Sequence, residues 1–201
     1  NSRLEDSFET LLAQFSATTL ELSPSLGTLE FARRLTARAA EMLGARSAAL
    51  ALARGSDWDV SAISGPAKRW DPEIKRRLSS ALAVQGRVPS VQPRVMPAAI
   101  ALGRAVAEAL EWRELVLARL VGSEGVVLGV LCLVDLARGL SATELQLLEA
   151  LAGHAAVALE NVRLFSRIEL SRKQWVEDFD AISDFIVVHD SGSRVLRLNR
   201  A

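Results

Sequence analysis

Two apolar runs rich in Val and Leu, Leu115 to Val121 and Val126 to Val134, bracket the short polar loop Gly122, Ser123, Glu124 and Gly125. The arrangement predicts an antiparallel hairpin, because glycines on either side of a polar tip supply the backbone freedom that a tight reversal needs. Successive strand side chains point to opposite faces, and in the second run both the odd set (Val127, Leu131, Leu133) and the even set (Leu128, Val130, Cys132) are apolar. Both faces of that strand should therefore be covered. Asp135 and Gly139 break the run, and Ser141, Ala142, Thr143 and Glu144 have the spacing of a capping box, in which Ser141 and Glu144 satisfy each other's free amides. The helix predicted to begin there carries Leu148, Leu151, Ala155, Ala158 and Val162 at steps of three and four, so one stripe faces a sheet or a partner helix.

Upstream, Leu4, Phe8, Leu11, Leu12 and Phe15 form an amphipathic helical stripe between Arg3 and Leu20. After the break at Ser23 to Gly27, a second helix is expected from Thr28 to Leu43, with Leu29, Ala32, Leu35, Ala39 and Met42 inward and Gly44 as its stop. Ser47 to Ala53 reads as a strand, Gly55, Ser56 and Asp57 as a turn, and Trp58 to Ile63 as the returning strand. Asp71 and Pro72 predict the cap and first position of a helix continuing through Ile74, Leu78 and Leu82. From Gln85 to Pro97 the prolines leave room only for a short edge strand near Val91 to Met96, and Ala98 to Glu111 predicts one Ala-rich helix. This order of elements gives an α+β fold, an antiparallel sheet with helices gathered on its faces and long helices at both ends.

Composition narrows the function classes. The 201 residues are half hydrophobic, enough for a full core plus appendages. With 24 basic and 24 acidic residues the formal net charge is zero, so the long-range attraction that nucleic acid or an anionic membrane demands is missing. The longest clean apolar run falls far short of the roughly 20 residues of a membrane helix. The polar start Asn1 to Asp6 has none of the character of a signal peptide, and the segment reads as cytoplasmic. A single cysteine, Cys132, excludes an internal disulfide and any multi-cysteine metal site within one chain.

Three stretches in this order resemble the GAF family of small sensory domains. They are Leu43 to Leu50, Glu111 to Arg113 followed by Gly125 to Leu133, and Leu140 to Glu144 leading into Leu151 to Asn161. The resemblance implies a sheet with one face on the terminal helices and the other, capped by the middle helices and loops, forming a small-molecule pocket. A second resemblance, Trp175 to Ala201 with Asp184 to Asp190 and Arg194 to Ala201, is to the opening of a PAS domain. Two short strands do not bury such a core alone. The expected division is an N-terminal helix and linker over 1–25, a GAF-like sensor domain over 26–168, a helical linker over 169–183 and a truncated PAS start over 184–201. That domain order resembles bacterial sensor histidine kinases of two-component systems, and implies a downstream kinase or other output domain in cis.

Candidate chemistry is sparse. His154 and His189 lie in separate modules without a carboxylate or cysteine constellation, so no catalytic set is visible, His154 reads as structural, and no cofactor or metal is expected. Cys132 packs as a small apolar residue or contacts a ligand. Relatives that attach a bilin use a cysteine in a different segment beside a histidine, a context missing here, and the cyclic-nucleotide motif of other relatives cannot be traced. Arg119 interrupts a strand whose same-face neighbours Leu115, Leu117 and Val121 are apolar. Either it enters the pocket and binds a carboxylate or phosphate, or it snorkels to water at a strand edge. Trp70 and Trp112 floor the pocket or fill the core.

The long helix carries a second pattern. Its seam runs from Ala158 through Val162, Phe165 and Ile168 to Trp175, Phe179 and Ile182, and Arg172 fills one seam position. Two three-residue steps meet at Phe165, a stammer that locally overwinds a coiled coil. The seam either pairs two chains as a signal-carrying coil or covers the sheet as far as Leu164 and belongs to the PAS cap beyond. The resulting expectation is a non-catalytic sensory module, homodimeric through its terminal helices, which binds a small ligand or partner and relays the change. The rivals are a dimerisation module with a filled pocket and, on one cysteine hard to sustain, an enzyme of the methionine sulfoxide reductase kind.

Overall fold

The computed structural model of the chain describes residues 27–66, 71–90 and 92–200. The expected N-terminal helix and Trp70 lie outside them. Two compact units are present, one through Asn161 and one over Val162–Ala201.

In the first unit, helix α1 (Thr28–Leu43) buries Phe31, Ala32, Leu35, Ala39 and Leu43. Gly44 ends it at φ +63°, where its N–H caps the carbonyls of Ala40 and Glu41, a left-handed position that glycine alone adopts without a Cβ penalty. Leu29, expected inward, is half exposed. It lies two residues, or about 200°, round the helix from Phe31, and Phe31 is the residue that begins the buried stripe.

Strands β1 (Ala45–Arg54) and β2 (Asp57–Ser64) form the first hairpin. Helix α2 (Pro72–Arg87) starts as its sequence predicts, with the Asp71 carboxylate accepting the Glu73 amide at 2.9 Å and Pro72 in the first turn. It runs on through Gln85, Gly86 and Arg87, three residues expected as loop. Gly86 is tolerated inside the helix because the Trp58 indole occupies the space a Cβ would fill. Strand β3 (Arg94–Pro97) follows as the expected short edge strand.

The single helix expected over Ala98 to Glu111 is two, α3 (Ala98–Leu102) and α4 (Arg104–Leu110). Gly103 breaks it at φ +82° and ψ 148°, a conformation no helix contains, so helix propensity along the segment is overridden at one residue. Strands β4 (Glu114–Val121) and β5 (Val127–Leu136) form the second hairpin, and α5 (Ala142–Ala181) follows.

All five strands pair antiparallel in the order β2-β1-β5-β4-β3. One face, with Leu50, Leu52, Val116, Leu120, Leu131 and Leu133, packs on α1 and on α5 through Leu148, Leu151, Ala155 and Leu159. The other, with Ala49, Ala51, Leu115, Leu117, Val130, Cys132 and Val134, packs under α2, α3 and α4 through Leu78, Leu82, Ala98, Leu102 and Val106. A register shift at Leu120/Val121 lets Leu128 join Leu131 and Leu133 on the first face, which strict alternation would forbid.

The second unit contains the end of α5 and a hairpin of β6 (Val187–His189) and β7 (Val195–Leu198). Trp175 and Phe179 stack at 5.2 Å, and the Arg197 guanidinium lies over both rings at 4.8 and 5.1 Å. The Asn199 amide accepts the Ile186 N–H and donates to the carbonyls of Ile182 and Asp184, tying the hairpin to its lead-in.

At the start of α5 the capping box forms in full. The Glu144 carboxylate accepts the Ser141 amide (2.9 Å) and hydroxyl (2.8 Å), the Ser141 hydroxyl accepts the Glu144 amide (3.3 Å), and Arg138 adds a bidentate pair. The Arg138 guanidinium first, and the Ser141 donors after it, hold the Glu144 carboxyl down at about 2. A carboxylate depressed in the folded state stabilises fully above its unfolded value near 4.5 and loses that contribution as pH falls toward 2. Because Arg138 is exposed, water screens much of the pair. Glu144→Gln should cost about 1–2 kcal/mol at pH 7 in urea unfolding, and the gap to the parent should close between pH 4.5 and 2.

Candidate functional site

The face under α2, α3 and α4 carries two half-buried guanidinium groups, those of Arg119 and Arg94. Arg119 lies on β4 opposite Val130, in line with Leu115 and Leu117. Its Nη1 reaches the Gly86 carbonyl at 3.5 Å, beyond the usual range of 2.7–3.2 Å. Its Nε is buried without a hydrogen-bond partner. The side chain therefore crosses from the sheet to the C-terminal end of α2. Arg94 lies on the neighbouring edge strand, where the register pairs it with Leu117. Its Nη2 donates to the Gln85 Oε1, and the Gln85 Nε2 donates to the Ala101 carbonyl at 3.1 Å. Among the described residues neither guanidinium has a carboxylate partner.

The other singled-out residues separate. Cys132 is fully buried on this face, between Ala49 and Leu117 in the ladder, and burial pushes its thiol well up, so it is a poor nucleophile. Trp112 is buried in the same core, just before β4, and lines an open cleft of about 600 Å³ with Arg46, Arg104, Glu108 and Arg113. Roughly 20 Å of extended strand separates it from Arg119, so the two do not share a site. His154 is exposed on α5, and among the described residues no three metal-ligating side chains come together.

Asp135, read from sequence only as a strand breaker, is a structural clamp at φ +47°. Its carboxylate accepts the amides of Arg113 and Glu114, both at 2.9 Å, and contacts the Arg46 guanidinium at 3.4 Å, closing the start of β4 onto β5 and β1. At the opposite end of β4, the Glu160 carboxylate of α5 accepts the Ser123 amide (3.0 Å) and hydroxyl (3.2 Å). A Cβ at Gly122 would meet the Glu160 carboxylate, so a larger residue there displaces the carboxylate from Ser123. Sequence reasoning missed Arg94, Gln85 and Glu160. The alternation of Arg94 with Met96 on one face of the edge strand was the only local trace of the first, and the other two act through partners 16 and 37 residues away.

A helix layer, an antiparallel sheet and a second helix layer define a small three-layer α+β domain. The chain belongs to the GAF domain family, whose pattern matches residues 28–159. Among curated proteins none matches the chain. In solved structures it is similar to the GAF domain of a protein described as a sensor histidine kinase from Pseudomonas syringae pv. tomato, with 20% identity, TM-score 0.59, and 85% of this chain and 96% of that one covered. It is also similar to the phycoerythrobilin-bound GAF domain of a cyanobacterial phytochrome (16%, TM-score 0.56, 78% and 96% covered). A third likeness is to the free methionine-R-sulfoxide reductase of Neisseria meningitidis in complex with its substrate (18%, TM-score 0.53, 81% and 91%). At these identities the likenesses are of fold.

A half-buried guanidinium with an orphaned Nε lowers stability. Arg119→Met keeps the apolar stem and removes the orphaned donor, so it should raise the unfolding free energy by about 1 kcal/mol in denaturant titration. A loss of more than about 1 kcal/mol would show that the guanidinium is already well bonded.

Proposed function

We propose that the chain is the sensory part of a cytoplasmic signalling protein, non-catalytic in itself. It binds a small ligand under α2 with Arg119 as its polar contact, and passes the change along α5 to an output domain in cis, a histidine kinase. The observation that carries this reading is the double role of β4. Arg119 leaves one face of the strand toward the end of α2, Val116, Ala118 and Leu120 leave the other toward the terminal helices, and the strand's far turn is hydrogen-bonded to Glu160 of α5. A ligand that moves Arg119 acts on a strand packed against the output helix. Buried Cys132, with its thiol pushed up, supports the absence of a cysteine-based reaction.

The hairpin β6–β7 is proposed as the opening of a PAS-type domain. Phe185, Leu196 and Leu198 are exposed on and beside it, which suits strands that belong to a larger sheet. Membrane crossing finds no support, since no described helix is long and apolar enough to span a bilayer.

A second reading, dimerisation without a ligand, is favoured by one observation. Leu164, Phe165, Ile168 and Leu170 are more than half exposed along α5, a cluster suited to a second copy of the helix. A native mass spectrum of protein purified from its own host separates the two. A retained small molecule supports the sensor, and a dimer with nothing bound supports the scaffold. Glu160→Ala should leave ligand affinity unchanged while abolishing ligand-induced protection of α5 in hydrogen exchange. Loss of affinity, or protection equal to the parent, would overturn the relay. Sedimentation at tens of micromolar should show a dimer, and Phe165→Glu should return it to monomer.

A further inference from the structure

We infer that Arg94 and Arg119 form a two-armed receptor for a small dianion, with Gln85 as the residue that positions Arg94. The inference rests on the ligand-binding reading above and names the ligand's chemistry. The register pairs Arg94 with Leu117, so Arg119, two residues further along β4, is its diagonal neighbour on the same face. Such neighbours stand about 7–8 Å apart, within reach of two long side chains converging on one small molecule.

Two like charges held that close repel each other, and taking them partly out of water adds to the cost. Among the described residues no carboxylate pairs with either guanidinium. Arg94 is bonded to a neutral amide, and Arg119 has a long contact to a helix carbonyl and an orphaned, buried Nε. The Gln85 amide is not free to swing, because its Nε2 is committed to the Ala101 carbonyl, and so its Oε1 is held toward Arg94. One guanidinium is therefore aimed before a ligand arrives, and the other keeps an unused donor. A planar fork matches a carboxylate or a phosphate with two parallel bonds. Two forks select two acidic groups, or one doubly charged group, over a single carboxylate.

The alternative role, in which both arginines only neutralise the carbonyl end of α2, accounts for the Gly86 contact and leaves Nε and the Gln85 geometry unexplained. Short dicarboxylates and phosphate compounds share the required chemistry, so the probes are succinate, inorganic phosphate and neutral succinamide. Each is titrated calorimetrically into the whole chain at constant ionic strength set with chloride.

Succinate or phosphate should bind and succinamide should not, with the preferred dianion identifying its source. Arg94→Met and Arg119→Met should each weaken the bound dianion at least tenfold while circular dichroism stays unchanged. Gln85→Leu should weaken it less, and only while Arg94 is present. Binding equal in the parent and both Met variants, or no binding of either dianion at millimolar concentration, overturns the receptor. The two proposals fail separately. Dianion binding that leaves hydrogen exchange in α5 unchanged supports the receptor and overturns the sensory reading. A neutral ligand that protects α5, binds Arg94→Met with undiminished affinity and binds Arg119→Met more weakly does the reverse.

Discussion

The central strands β1 and β5 are apolar on both faces, and the rest of the domain follows from the need to keep both faces dry. Ala48 to Leu52 and Val130 to Val134 are inaccessible to solvent residue by residue. Burying one Leu or Val side chain contributes about 1.5–3 kcal/mol, so a sheet with one bare face would forfeit that gain several times over. Covering the first face takes the two long helices α1 and α5. Covering the second takes α2, as long as α1, and the two short helices α3 and α4, all from the connection between the two hairpins. Helix α2 ends near the sheet edge at β3, where Arg94 is bonded to Gln85 and Arg119 reaches the Gly86 carbonyl.

The middle of the sheet admits no such compromise. Gly129 in β5 sits so near the Ala51 carbonyl that a Cβ would stand 2.7 Å from it, and Cys132 is sealed between neighbouring strands. Polar side chains are accommodated only where a carbonyl, an amide or solvent is at hand. At the ends of β4 this is done with specific clamps, Asp135 at one end and Glu160 at the other, each carboxylate accepting backbone amides that the ladder leaves unpaired. Strand β4 is thus held at both ends, is packed on both faces and carries Arg119 between.

The edge at β3 shows a different economy. A four-residue strand ending at Pro97 offers few free ladder groups, which blunts its pairing with other chains. Its outward residue Val95 is exposed, while Arg94 and Met96 turn inward to the recess. The same strand guards the sheet edge and carries Arg94 on the face under α2.

By itself the sequence determined the elements whose signals are local. The Asp71-Pro72 start of α2, the Ser141/Glu144 capping box, the Gly44 stop and both hairpins depend on neighbours within a few residues, and each is found where its pattern lies. The stripe on α5 and the two-sided strand β5 announced a sheet between helix layers. Tertiary structure alone decided where propensity yielded: Gly103 splits a helix that alanines favour, α2 runs past Gln85 because Trp58 packs on Gly86, and Leu29 loses the buried stripe to Phe31. It also decided the recess. Whether Arg119 meets water or an interior depends on a helix 33 residues away, and its company with Arg94 depends on the register of an edge strand. Short-range patterns record backbone chemistry, whereas a binding surface is a coincidence of distant side chains, which no local period in the chain encodes.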